Sequence, residues 1–202
     1  MMEATTDPGW NHNIHHHGLV LAAVPASARR GLDAGCGEGL LAARLQQVMP
    51  EVTGIDTDAG CIAAARRDHD RQGLEFMAGD FLTADLEPAS FDFISCVAML
   101  HHLDTTAGLR RMRELLRPGG RLVVVGCART ASPADLGAEL ASGTAHKVLS
   151  RRRNWAQSSA PVLKPSLSYG QVRRLARAEL PGSSFRRRVL WRYSLIWTKP
   201  VG

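Results

Sequence analysis

Short apolar runs alternate with helix-period stretches along residues 30–126. Arg30–Ala34, Val52–Ile55, Leu74–Met77, Phe91–Val97 and Arg121–Val125 read as short buried strands. After the first of them, Leu41, Leu45 and Val48 fall at i, i+4 and i+7, one face of a helix that Pro50 ends. Ala59–Gln72 reads as a second helix. Asp104 or Thr105 can cap a third, with Leu109, Met112, Leu115 and Leu116 turned inward and Pro118-Gly119-Gly120 stopping it. Residues 127–167 are polar, rich in Ala, Ser and Pro, and weakly patterned. Ser168-x-x-Gln171 is a capping-box signature for a helix whose inner face is Val172, Leu175 and Ala176, with Arg173, Arg174 and Arg177 on its other side. Pro181-Gly182 ends that helix, and Ser183–Leu190 and Arg192–Thr198 read as a terminal hairpin. Five strands alternating with helices, then a hairpin, predict an α/β fold. The expected sheet is doubly wound, seven-stranded and mostly parallel, with the C-terminal hairpin antiparallel.

Charge divides the chain. Residues 146–202 hold 13 Lys/Arg against the single acid Glu179, a charge of +12, whereas residues 1–145 hold 12 Lys/Arg against 18 Asp/Glu, a charge of −6. The net +6 by itself would point to an acidic partner such as nucleic acid. No apolar run approaches the ~18 residues of a membrane span, and no basic n-region of a signal peptide is seen, so the reading is a cytoplasmic chain without membrane contact. Cys36, Cys61, Cys96 and Cys127 form no C-x-x-C pair, which argues for reduced thiols packed as small hydrophobes and against a zinc ribbon.

The candidate chemistry lies at strand ends. In an open parallel sheet, ligands bind beyond the carboxyl ends of the strands where strand order reverses. Gly35, Gly37 and Gly39 follow the first strand, and glycine there admits tight turning and close ligand approach. Asp56 ends the second strand, 21 residues after Gly35, where a carboxylate can accept both hydroxyl hydrogens of a ribose. Asp80, after the third strand, can accept from an exocyclic amine, and Phe81 can either stack on a purine or fill the core. The spacing is G-x-G-x-G, not the G-x-G-x-x-G of dinucleotide sites. Asp33 and Glu38 beside the loop would repel a pyrophosphate and suit a cationic ammonium or sulfonium.

These residues carry a resemblance. Gly31-Leu32-Asp33-Ala34-Gly35-Cys36-Gly37-Glu38-Gly39, Gly54-Ile55-Asp56, Gly79-Asp80-Phe81, Phe91-Asp92-Phe93-Ile94, Leu100-His101-His102-Leu103 and Leu116-Arg117-Pro118-Gly119-Gly120-Arg121-Leu122 resemble the class I S-adenosylmethionine-dependent methyltransferases, of Rossmann-like fold. The resemblance covers residues 29–126; Arg192-Tyr193-Ser194-Leu195-Ile196-Trp197 is similar to that family's last strand. It implies one methyltransferase domain over 1–202, with an N-terminal helical cap (1–28), a cofactor core (29–126), a variable substrate-side segment (127–167) and a helix plus hairpin (168–202). It also implies the cofactor, S-adenosylmethionine, with S-adenosylhomocysteine as product. Asp33 and the backbone of Gly35, Cys36 and Gly37 would hold the methionine moiety. Asp56 would hold the ribose, with Thr57 beside the adenine, and Asp80 would meet the adenine amine. Cys96, Val97 and Leu100 would border the sulfonium and the acceptor.

Methyl transfer from a sulfonium needs alignment, exclusion of water and sometimes removal of an acceptor proton. Histidine suits that last task. His101 and His102 follow the fourth strand and face the expected acceptor space; the alternative is that one of them buttresses the next helix. If residues 10–19 were helical, His12, His15, His16 and Leu19 would share one face, and His16 would line the substrate mouth. No carboxylate or cysteine accompanies these histidines at ligand spacing, so no metal is expected. The basic C-terminal part holds Trp155, Tyr169, Phe185, Trp191, Tyr193 and Trp197, an interleaving that also suits single-stranded nucleic acid. Base-amino and cytosine-C5 methyltransferase motifs are missing, and arginine outnumbers lysine 22 to 3 throughout. The reading is therefore methyl transfer to O, N or C of a small metabolite. An RNA methyltransferase and a non-catalytic cofactor-binding protein stand as alternatives.

Overall fold

The computed structural model describes residues 9–131, 135–151 and 164–201. Seven strands form one sheet: β1 (Arg30–Ala34), β2 (Glu51–Asp56), β3 (Leu74–Ala78), β4 (Phe91–Val97), β5 (Leu116–Gly126), β6 (Ser184–Arg188) and β7 (Arg192–Thr198). Their order is β3-β2-β1-β4-β5-β7-β6. The first five are parallel, and β7 runs antiparallel between β5 and β6, as the strand pattern predicted. Strand order reverses between β1 and β4, which sets the crevice where ligands bind.

Helices cover both faces. They are α1 (His17–Ala22), α2 (Leu40–Gln46), α3 (Ala59–Asp68), α4 (Thr105–Leu115), α5 (Leu136–Ser150) and α6 (Tyr169–Glu179). Leu32, Ile94, Leu122 and Val124 pack with Leu109, Met112 and Leu115 of α4 and with Val172 and Ala176 of α6. Phe93, Val123 and Val125 pack on the opposite face with Val20 of α1, Ala42 and Leu45 of α2, and Ile62 and Ala65 of α3. Strands buried on both sides must be apolar at nearly every position, which is why they read as continuous runs. Asp104 caps α4 through Ala107 N–H at 2.7 Å, and the Ser168–Gln171 capping box opens α6.

The structure differs from the sequence reading at several boundaries. α2 ends at Gln46, so Val48 falls outside it and is 55% exposed, while Met49 takes the inward position. α3 stops at Asp68, not Gln72. α4 ends at Leu115 before Pro118-Gly119-Gly120, which lies inside the long β5 where its register with β4 shifts. α5 occupies the stretch expected to be weakly patterned. Its Ala, Gly and Ser spacing leaves no apolar stripe, and Leu140 and Val148 are exposed. The N-terminal segment is a 3-10 turn over Ile14–His16 followed by the short α1, so His12, His15 and His16 do not share an α-helical face. Trp155 lies outside the described residues.

Two turns carry the fold into the site. Gly39 leads into α2 with φ +83°, and a Cβ there would sit 2.6 Å from Phe76 Cζ and 2.9 Å from Ala65 Cβ. Glycine is thus required by both conformation and space. The β6–β7 hairpin turns through Leu190 (φ 60°) and Trp191 (φ 56°), a left-handed pair ordinarily given to Asn-Gly. Tertiary contacts hold it there: Leu190 is fully buried, Trp191 Nε1 donates to Glu139 Oε2 at 2.7 Å, and Trp191 N–H donates to Ser142 Oγ at 3.2 Å.

Candidate active site

The glycine loop joins β1 to α2 at the point of strand reversal. Gly35 and Cys36 N–H both donate to Ile55 O, at 2.8 and 3.0 Å, which ties the loop to β2. Asp56 completes the tie. Its Oδ2 accepts from Gly37 N–H at 2.9 Å and its Oδ1 from Asp58 N–H at 3.0 Å. Each carboxylate oxygen keeps a second lone pair for hydroxyl donors. Gly37 adopts φ +53°, and a Cβ added there would meet nothing within 4 Å. The same holds at Gly79, after β3. The missing side chains therefore face open space above the carboxyl ends of β1 and β3, a cradle that fits S-adenosylmethionine along the strand ends.

The other residues named for the cofactor are distributed as follows. Asp80 is exposed and its Oδ1 accepts from Leu82 N–H at 2.9 Å, which shapes the turn after β3. Thr57 is exposed beside Asp56. Phe81 is 4% exposed and belongs to the apolar cluster with Ile55, the core alternative of the sequence reading. Cys36 and Cys96 are buried thiols. Burial pushes Cys96 up to about 12 and raises Cys36 further, so neither is a thiolate at neutral pH. Val97 is half-buried and Leu100 fully buried.

Asp33 is 2% exposed and accepts from Ser95 Oγ at 2.7 Å. Burial is the main cause that lifts its carboxyl to about 7; the Ser95 hydrogen bond opposes this and the nearby Asp56 charge adds to it. In the unfolded chain the group ionises near 3.9. Its raised folded value thus costs stability progressively as pH rises from about 4 to about 7. Asp33→Asn keeps the acceptor for Ser95 and removes the titration. The melting temperature of the variant minus that of the ligand-free wild type is expected to grow by roughly 5 °C or more between pH 5 and pH 8. A difference that stays flat across those pH values would show that Asp33 does not ionise against its surroundings.

The side expected from sequence to receive the acceptor, past β4, is built by segments distant in sequence. Ala98, the first residue after β4, is held at φ 56°, and its N–H donates to Val125 O at 2.8 Å. A left-handed alanine is strained, and such strain gathers at functional sites. The chain then forms a 3-10 turn, Leu100–His102. His102 is exposed; His101 is half-buried, and its Nδ1 is buried with no hydrogen-bond partner among the described residues. Burial, with the neighbouring His102 and Arg192, lowers His101 to about 4, so it is neutral at physiological pH.

The N-terminal segment crosses this region. His12 Nε2 lies 3.0 Å from His146 Nδ1 of α5, and His16 Nε2 lies 3.3 Å from Val189 O of the hairpin turn. Asn13 Oδ1 accepts from Arg192 Nη2 at 2.8 Å, and His17 Nδ1 lies 3.1 Å from Arg44 Nη1 of α2. Burial, aided by adjacent cations, lowers His12 and His16 to about 4 and His17 to about 3. Three neutral imidazoles thus staple this segment to α2, α5 and the hairpin. Among the described residues no group of three or more His, Cys, Asp or Glu could hold a metal. Nor is any described helix long and apolar enough to cross a membrane. Arg192 and Asn13 belong to this region without having been singled out from sequence, where Tyr169 and Trp191 stood only among the aromatics of the basic part.

Comparison with known proteins agrees with this geometry. The family model described as "Methyltransferase domain" matches residues 32–124, which run from β1 to β5. An uncharacterized methyltransferase of Mycobacterium tuberculosis (strain ATCC 25618 / H37Rv) is 36% identical over 202 residues, covering 96% of this chain and 100% of that protein. The chain belongs to the class I S-adenosylmethionine-dependent methyltransferases. The methyltransferase is also 40% identical over 112 residues to the ubiquinone biosynthesis O-methyltransferase of Xylella fastidiosa, covering 53% of this chain and 45% of that one. A solved protein of Pyrococcus horikoshii OT3 shares the fold with TM-score 0.69 at 17% identity, covering 98% of this chain and 96% of that one. The methyltransferase is thus an enzyme that uses S-adenosylmethionine, on the Rossmann-like seven-stranded sheet expected from its sequence.

Proposed function

We propose that this methyltransferase transfers the methyl group to O, N or C of a small-molecule acceptor, with His101 as proton acceptor. The observation that carries the reading is the contact of the N-terminal segment with both α5 and the hairpin turn, through His12–His146, Asn13–Arg192 and His16–Val189. Those contacts lie past the carboxyl end of β5, at the β6–β7 turn, where a polymer would need an open groove. The basic C-terminal face supports the same choice. Arg187 stacks on Tyr169 and pairs with Asp135, and Arg188 Nε donates to Ser194 Oγ at 2.8 Å, so two of the three arginines of that run are turned to protein partners. Arg173, Arg174 and Arg177 remain exposed on α6. The likeness to a ubiquinone biosynthesis O-methyltransferase favours oxygen as the accepting atom.

The cofactor, when bound, supplies an electrophilic methyl on a sulfonium with a neutral leaving group. Asp56 binds and orients the ribose side of the cleft, and Asp80 lies beside the adenine side. Asp33 sits beneath the loop as a carboxyl that a cationic ligand favours in its ionised form. Leu100 and Val97 exclude water from the floor. His101 Nδ1, buried and unpartnered, accepts the proton that the acceptor loses as its new bond to carbon forms. Incubating the protein with methyl-labelled S-adenosylmethionine and, separately, small phenols, acids and amines or total RNA tests this. Label is expected in the small-molecule fraction. Label in RNA alone, falling steeply with salt, would overturn the reading. Binding of cofactor with no transfer to either would favour the non-catalytic alternative.

A further inference from the structure

Arg192 opens β7, and the register places it at the acceptor edge. Tyr193 pairs with Gly126, the last residue of β5, so Arg192 stands just beyond that strand's carboxyl end. β4 leaves the sheet beside it, with Val97 paired to Val125 and Ala98 N–H bonded to Val125 O. The guanidinium is half-buried, yet every hydrogen bond it makes goes to a neutral oxygen. Nε and Nη2 donate to Asn13 Oδ1 at 3.3 and 2.8 Å, and Nη1 donates to Leu190 O at 3.3 Å. Among the described residues, no carboxylate lies within ion-pair distance of it.

A second cation stands opposite. Arg188 of β6 pairs in register with Arg192, is also half-buried, and donates to the hydroxyl of Ser194 at 2.8 Å. It too has no carboxylate at ion-pair distance among the described residues. Like charges directly opposite on neighbouring strands repel. Other half-buried arginines differ in this: Arg187 meets Asp135 and Arg113 meets Glu179, whereas Arg121 bonds only Thr198 Oγ1 and Ala23 O. Arg192 is set apart from Arg121 by a second arginine directly opposite it in register. The charge of Arg192 is felt by His12, His16, His101, Cys127 and Tyr169, five groups drawn from four parts of the chain. These are imidazoles, a thiol and a phenol, none of which balances a positive charge, and the carboxylate of Glu139 bonds the neighbouring Trp191 and not Arg192. A guanidinium fork held by two neutral oxygens keeps donor directions suited to a planar or tetrahedral oxyanion.

We propose that the acceptor is a small organic anion whose carboxylate or phosphate is bound by Arg192, with Arg188 adding to the attracting field, so that Arg192 selects acidic acceptors over their neutral counterparts. The proposal rests on the small-molecule reading and narrows it. The same electrostatics explains why a −6 cofactor part is joined to a cationic hairpin: the donor is positive, the acceptor negative, and each meets the opposite charge.

The test uses the full chain saturated with S-adenosylhomocysteine and matched probe pairs: hydroxybenzoates against hydroxybenzamides, and phenyl phosphate against phenol. Calorimetry is expected to show the acidic member binding at least about tenfold tighter in wild type. Arg192→Gln is expected to erase that preference. Asn13→Ala, which removes the strap but leaves the guanidinium, is expected to keep it, and all three proteins are expected to bind S-adenosylhomocysteine alike. The benzoate and phosphate arms report which oxyanion is preferred. No acid preference in wild type, including no binding by either member, would overturn the proposal, as would a preference that survives Arg192→Gln. Methyl transfer to neutral small molecules, undiminished in Arg192→Gln, would remove this inference and leave the small-molecule reading standing. Transfer to RNA alone would remove the reading beneath it.

Discussion

Asp56→Ala is expected to weaken S-adenosylhomocysteine binding by about 10²-fold or more, measured by calorimetry on the folded protein. Two effects add. The carboxylate is the acceptor that the ribose hydroxyls lose, and a hydrogen bond to a charged group contributes about 1.5–3 kcal/mol. The same carboxylate also holds the loop, because its two oxygens accept from Gly37 N–H and Asp58 N–H. Alanine leaves both donors without that partner and frees the turn that must lie against the cofactor. Two such losses amount to about 3–6 kcal/mol, or about 10²–10⁴ in affinity. Asp56→Asn retains an acceptor oxygen for Gly37 and is expected to fall between. The melting temperature of the ligand-free protein is expected to fall by several degrees, because the Gly37 and Asp58 bonds are lost with or without cofactor, so binding is compared well below that temperature. Equal binding by wild type and Asp56→Ala would remove Asp56 from the cofactor site.

His101→Gln is expected to lower kcat by about 10²–10⁴-fold with the accepted substrate while S-adenosylhomocysteine affinity stays unchanged. Glutamine approximates the reach of the imidazole and keeps hydrogen-bonding capacity, but it cannot take up a proton near neutrality. The wild-type imidazole is lowered to about 4, chiefly by burial. A depressed histidine is neutral, and so ready to accept a proton, over the whole range above about pH 5. It is a weak base, which suits an acceptor atom that becomes strongly acidic only as it gains the methyl group. The wild-type kcat profile should therefore lose activity only toward pH 4, and the variant should lack that acid limb. If His101→Gln raised KM and left kcat and the pH profile intact, His101 would be a positioning residue instead.

The candidate cofactor half of the site is legible in the sequence because each part depends on one residue at one strand end. A strand of apolar residues, a glycine turn and a carboxylate closing the next strand are local features, and the fold places them side by side through parallel pairing of β1 with β2 and β4. The burial of Asp33, and with it the raised carboxyl, is not local: it depends on Ser95 from β4, 62 positions away. Phe81 reads equally as a stacking ring or a core ring, and only packing against Ile55 and its neighbours separates the two. The helix α5 has no periodic signal because its exposed Leu140 and Val148 do not mark an inner face.

The proposed acceptor half was hidden for a different reason. Twenty-two arginines give the sequence no contrast by which Arg192 could be picked out. Its distinction is that it is half-buried with Arg188 directly opposite in register, while its own hydrogen bonds go only to Asn13 and Leu190. The sequence by itself determined the order of strands and helices, the glycine loop and the carboxylates, because hydrophobic period and turn chemistry act over a few residues. Only the tertiary structure decided how the N-terminal segment meets the hairpin at the proposed acceptor edge. There Asn13 meets Arg192 across 179 positions and His16 meets Val189 across 173, contacts that exist only once the sheet has closed the distance.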